Sequence, residues 1–125
     1  MSQNSNTLLL FFDQEASLTN CLRIFKKIEE GTLEQTEEKI DSLASVATHA
    51  WSEDWFNHGI TESSKYLRID YDSSTHYEFP LDVLEELFKR GLKLACLEVF
   101  YDQIGEFGQF YFMDKKNHFQ KSIIP

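Results

Sequence analysis

Residues 65–72, Lys-Tyr-Leu-Arg-Ile-Asp-Tyr-Asp, alternate in polarity, with Leu67, Ile69 and Tyr71 on one parity and Arg68, Asp70 and Asp72 on the other. That two-residue period belongs to a half-buried strand, because successive side chains of a strand leave on opposite faces. One face of the resulting sheet needs cover, and the neighbouring text supplies it. Residues 7–12, Thr-Leu-Leu-Leu-Phe-Phe, are short and continuously apolar, which predicts a buried central strand. From 16 to 30 the apolar residues Leu18, Cys21, Leu22, Phe25 and Ile28 follow the rhythm of an amphipathic helix, and Gly31 stands where such a helix stops.

Thr32 and Gln35 have capping-box spacing, which predicts a second helix from there to about residue 50, with Leu33, Ile40, Leu43, Ala44 and Ala47 inward. Residues 51–63 read as a turn or short extended piece, with an extra strand possible near 54–60. Ser73-Ser74-Thr75 breaks the strand before it. Pro80 then opens a helix whose expected stripe is Leu81, Leu84, Leu87 and Phe88, ended by Gly91. Residues 92–101 and 107–113 read as a hairpin joined by Asp102–Glu106, and 118–125 as a final edge segment. The order β, α, α, β, α, β, β gives an α+β fold, an antiparallel or mixed sheet with helices packed on one face.

A chain of 125 residues suits one domain, with a flexible start at 1–6 and a tail at 117–125. Its 42% apolar and 14% aromatic content excludes a disordered chain. The five-residue run Leu8–Phe12 is far below the roughly 20 residues a membrane span takes, and the uncharged start lacks the pattern of a signal peptide. A cytoplasmic protein without membrane contact is the expectation. Cys21 and Cys96 belong to no CxxC and are read as small buried hydrophobes. The four histidines lack the close spacing of metal pairs, and no phosphate-binding, nucleophile-elbow or zinc-protease motif occurs. Neither metal nor cofactor is expected.

The formal net charge is −9, which speaks against binding nucleic-acid phosphates. The acid is uneven. Residues 29–62 hold nine acidic residues and one basic one, Lys39, for −8, which leaves −1 to the rest. Glu34, Glu37, Glu38 and Asp41 share one helix, followed by Trp51, Glu53, Asp54 and Trp55. Such a stretch is either a solvated face or a docking surface that steers a basic protein, with Trp as an anchor. A rival acidic surface is Asp70, Asp72, Asp102 and Glu106, at strand ends and hairpin. On the sheet's second face, alternation places Arg68, Asp70, Glu98, Phe100, Gln109 and Tyr111 together. Asp70 and Asp72 raise acid–base chemistry, but no nucleophile or base accompanies them, so no enzyme is expected.

Residues 51–116 resemble the YubB-type ferredoxin-like family of small bacterial proteins. The matching text is Trp51 to Trp55, Tyr66-Leu-Arg-Ile-Asp-Tyr71, Phe79-Pro-Leu-Asp-Val-Leu-Glu-Glu-Leu-Phe88, Leu94-Ala-Cys-Leu-Glu-Val-Phe-Tyr101 and Ile104-Gly-Glu-Phe-Gly-Gln-Phe-Tyr111. Where that family tends to Thr-Ala-Trp before the Pro-led helix, this chain has Ser73-Ser-Thr-His76. The resemblance implies a ferredoxin-like α/β sandwich and carries no catalytic residues. In profile the chain is also similar to immunity proteins of contact-dependent growth inhibition systems, which are small, often acidic, and cover the active sites of basic nuclease toxins. The expectation is therefore a monomeric, non-enzymatic immunity protein or antitoxin. The alternative is a plasmid- or phage-associated accessory or regulatory domain of unknown ligand, able to dimerise through an edge strand.

Overall fold

A computed structural model describes residues 4–52, 59–63, 65–73, 79–101, 105–113 and 119–124. The elements are β1 (Asn4–Phe12), α1 (Glu15–Glu30), α2 (Gln35–Ile40), α3 (Ser42–Ser52), β2 (Gly59–Glu62), β3 (Tyr66–Ser73), α4 (Leu81–Lys89), β4 (Leu92–Tyr101), β5 (Gly105–Met113) and β6 (Phe119–Ile124). The strands form one sheet in the order β2-β3-β1-β4-β5-β6, and every neighbouring pair is antiparallel. Strands β1 to β4 with α1 and α4 make the βαββαβ unit of a ferredoxin-like fold. Helices α2 and α3 are inserted between α1 and β2, and β5 and β6 extend the sheet beyond β4. The unit thus takes its first strand and helix from the segment ahead of residue 51.

The core lies on one face of the sheet. Leu8 and Leu10 of β1, Leu67, Ile69 and Tyr71 of β3, and Ala95, Leu97 and Val99 of β4 are all buried there. Leu18, Cys21, Ile24 and Phe25 of α1, Leu43, Ala44, Ala47 and Ala50 of α3, and Val83, Leu84, Leu87 and Phe88 of α4 form the opposite wall. Tyr71 meets Phe79 edge to face, with ring centroids 5.8 Å apart. Two adjustments to the expected inward positions follow from phase, one on α4 and one on β4. Leu81 is 44% exposed, and Val83 takes the inward place expected for it. Cys96 is half-buried, unlike Cys21, because it sits on the sheet's other face.

The expected second helix is two helices. Thr32 does not cap one, because the end of α1 uses it: Gly31 turns left-handed at φ 71°, its N–H donates to Ile28 O, and the Thr32 N–H reaches back to Lys27 O at 2.8 Å. That double closure is a Schellman motif. Helix α2 starts at Gln35 and stops where Asp41 turns extended at ψ 116°. Asp41 then caps α3, its Oδ1 accepting the Ala44 N–H at 3.1 Å. Strand β2, at Gly59–Glu62, overlaps the extra strand expected near 54–60 only at its last two positions, and 54–58 lie outside the described residues.

Register corrects one assignment on the sheet's second face. Thr7 faces both Asp70 and Glu98, so those two acids share a face as expected. Gln109, however, stands opposite Leu97, and Tyr111 opposite Ala95, both core positions. Gly108 and Phe110 are the residues opposite Glu98 and Cys96. The β4–β5 connection sets this phase, and alternation within β5 alone leaves it open.

Candidate functional site

The acidic helix region divides on inspection of its partners. Glu37 accepts a hydrogen bond from Lys27 Nζ at 2.7 Å and lies 3.6 Å from Arg23, so it clamps α2 onto α1. The hydrogen bond from Lys27 holds the Glu37 carboxyl below its ordinary value of 4.5. Asp41 accepts from Arg90 at 2.7 Å while capping α3, which ties the α2–α3 corner to the end of α4. Ser42 Oγ donates to Glu86 Oε2 at 2.6 Å beside it. Beneath this corner the thiol of Cys21 is pushed up to about 11, chiefly by burial, with Arg90 and Asp41 acting in opposite senses. Of the four helix acids singled out by sequence, two are therefore internal fasteners. Arg90, the most informative missed residue, carries no sequence signal, because 49 positions separate it from Asp41.

Glu34 and Glu38 remain, and neither makes a side-chain ion pair or hydrogen bond among the described residues. Helix α2 buries none of its residues. Ile40 closes it at 85% exposure, the most exposed large apolar side chain described. It rims a groove of about 260 Å³ between α1, α2 and α3, lined by Arg23, Ile24, Thr36, Glu37, Asp41 and Ala44. An outer helix so fastened presents Ile40 as an exposed apolar tip at its C-terminal end, beside the paired Glu37 and Asp41 on the same groove.

The remaining candidate residues fall elsewhere. Trp51 is half-buried and packs against the core. Glu53, Asp54, Trp55 and Asp102 lie outside the described residues. Glu106 stands opposite Phe100 in the β4–β5 pairing. Asp70 accepts from Thr7 Oγ1 at 2.9 Å and from Arg68 Nε at 3.1 and 3.2 Å, so its charge is matched on its own strand. Asp72 is half-buried two positions further along the same face. A second groove, of about 400 Å³, runs between α3 and the start of α4, lined by Val46, His49, Ala50, Pro80, Leu81 and Val83 among others.

The charge ledger sharpens the picture. Nine Lys and Arg side chains are described, and Arg23, Lys26, Lys27, Arg68, Lys89, Arg90 and Lys93 all sit within 4 Å of a carboxylate. Only Lys39 and Lys65 of that set make no such pair. Among the described residues, Glu34, Glu38 and Glu98 make no side-chain ion pair. Among the described residues no group of three or more His, Cys, Asp or Glu is arranged to hold a metal ion, and no helix is long and apolar enough to cross a membrane. Comparison with protein-family models, with curated proteins and with solved structures found no match.

Proposed function

We propose that this chain is a non-enzymatic binding protein that docks a basic protein partner on its α2 corner and blocks it, in the manner of an immunity protein or antitoxin against a nuclease-type toxin. The observation that carries the reading is Ile40, exposed at 85% on an acidic helix that buries nothing of its own yet is fastened to α1 through Glu37 and followed at once by Asp41, which is bound to Arg90. An exposed large apolar side chain beside carboxylates suits an interface better than solvent. The unmatched acid would steer a cationic partner and speed its encounter. Rigid fastening lowers the ordering cost of docking. The similarity of the whole profile to immunity proteins supports the same direction.

The test is co-purification from the source's own lysate, with the product of the neighbouring upstream gene expressed, using the wild type and the triple variant Glu34→Lys, Glu38→Lys, Ile40→Asp. The reading expects a stoichiometric complex with one basic polypeptide for the wild type, relief of that polypeptide's toxicity, and loss of both in the variant. Equal capture and equal protection by the variant would remove the α2 corner from the account. Recovery of the wild type alone, with the neighbour's product present, would favour the accessory-domain alternative.

A further inference from the structure

The sheet ends in two edge strands, β2 and β6. An edge strand presents backbone N–H and C=O groups that another chain can pair with, and folded proteins keep such edges covered or charged. The phase of the β2–β3 hairpin decides which groups of β2 these are. Ser63 N–H donates to Tyr66 O at 2.9 Å, so Ser63 and Tyr66 form a hydrogen-bonded pair. Antiparallel pairs alternate in type, and the register continues with Glu62 opposite Leu67, Thr61 opposite Arg68, Ile60 opposite Ile69 and Gly59 opposite Asp70. Thr61 and Gly59 therefore bond to β3, while the backbone N–H and C=O of Ile60 and Glu62 point out of the sheet. One of those outward groups is taken. Lys26 of α1 donates from Nζ to Ile60 O at 3.2 Å. Glu29, one turn further along α1, lies 3.7 Å from the same ammonium. Its carboxylate also lies against the start of β2, 3.8 Å from where a side chain on Gly59 would begin.

We infer that Lys26 guards the β2 edge: it occupies the Ile60 carbonyl that strand addition by a second copy of this chain requires, and its loss lets two copies pair through β2. A second copy is the occupant because the outward groups of β2 match themselves. A two-fold axis through Thr61 brings Ile60 of one copy opposite Glu62 of the other, and each of these two pairs exchanges two backbone hydrogen bonds. That register also sets each Glu62 against an Ile60 and not against the other copy's carboxylate. An incoming strand must first displace the ammonium from Ile60 O, and so give up a charge-assisted hydrogen bond before its own ladder forms. The guard uses none of the residues assigned to the basic partner, so it stands or falls separately from that reading.

The test is sedimentation over a wide range of concentration, with amide exchange read at both ends of that range, for the wild type, Lys26→Ala, Lys26→Arg and Lys39→Ala. The Lys26 side chain is 40% exposed and alanine is the best helix former, so α1 persists in Lys26→Ala. Lys26→Arg keeps a donor within reach of Ile60 O. Lys39→Ala makes the same change of net charge at an exposed position on α2. Lys26→Ala is expected to self-associate about tenfold more strongly than the wild type, the scale of one charge-assisted hydrogen bond. Exchange of its Ile60 and Glu62 amides should slow as concentration rises, while Lys26→Arg and Lys39→Ala behave as the wild type. Lys26→Ala that sediments as the wild type does overturns the inference. So does a dimer of that variant whose newly protected amides lie in Phe119–Ile124, because β6 would then be the seam. Association of Lys26→Arg or Lys39→Ala equal to that of Lys26→Ala overturns it as well, since the donor to Ile60 would then not be the cause.

Discussion

Gly91 joins α4 to β4 with φ at 105°, and a methyl group there would lie 2.8 Å from Ser17 Oγ. Gly91→Ala should cost about 1–2 kcal/mol from the left-handed backbone alone, since side chains resist that conformation. Denaturant melts of Gly91→Ala with and without Ser17→Ala check this: removing the hydroxyl should recover only part of the loss. Cys21 makes a second residue-scale prediction. Burial raises its pKa from 9.0 to about 11, so the unfolded chain ionises first as pH rises. Stability is therefore whole below pH 9, falls between about 9 and 11, and levels beyond, by on the order of 3 kcal/mol at 1.4 kcal/mol per pKa unit. Urea melts at pH 8 and pH 10.5 measure it, and Cys21→Ala should flatten the difference. Much at this scale was legible beforehand: Gly31 as a stop and Leu67, Ile69 and Tyr71 as inward are both correct, because local sterics and period decide them. The hydrogen bonds of Asp41 and Glu37 were not, because their partners arrive only through the fold.

At the scale of elements, α2 and α3 show two local signals in competition. Thr32 offers a capping box and Gly31 a helix stop. The stop takes Thr32 into its own closure, so the next start passes to Glu34 and the next cap to Asp41. Asp41→Ala should therefore destabilise by roughly 1–3 kcal/mol, combining a lost cap with a lost charge-assisted hydrogen bond. Asp41→Asn keeps the cap, and its smaller loss separates the two contributions; a double-mutant cycle with Arg90→Ala isolates the pair. Glu37 governs the hold of α2 on α1. Its pKa is depressed, so its contribution is present above pH 4.5 and is lost as pH falls through its lower folded value. Amide exchange in Gln35–Ile40 should rise under acid while α1 stays protected, and Glu37→Gln should show fast exchange of the same amides already at pH 7. The α4 stripe was misread by one phase at Leu81 because Pro80 stands at the cap and the inward face begins at Val83.

For the whole molecule, a sheet with helices on one face was legible because α1, β3 and α4 have clear periods and β1 is a short apolar run, whereas the ferredoxin-like unit draws β1 and α1 from ahead of the segment 51–116 whose resemblance implied it. The phase of β5 was not, since it depends on a connection rather than on the strand's own text. Neither was the division of the acid into fasteners and free charge, which only the folded arrangement decides. Among the described residues Glu34 and Glu38 stay without a side-chain partner after seven cations have found carboxylates, and the proposed function assigns them the steering of a basic partner, with Ile40 as its apolar anchor. The most direct measurement is the association rate of the co-purified basic partner with the wild type and with Glu34→Lys/Glu38→Lys, at low and at physiological salt. Steering through α2 predicts a wild-type rate that falls about tenfold with salt and a variant rate that is slow and nearly salt-independent. Identical rates and identical salt dependence in the two proteins would contradict it.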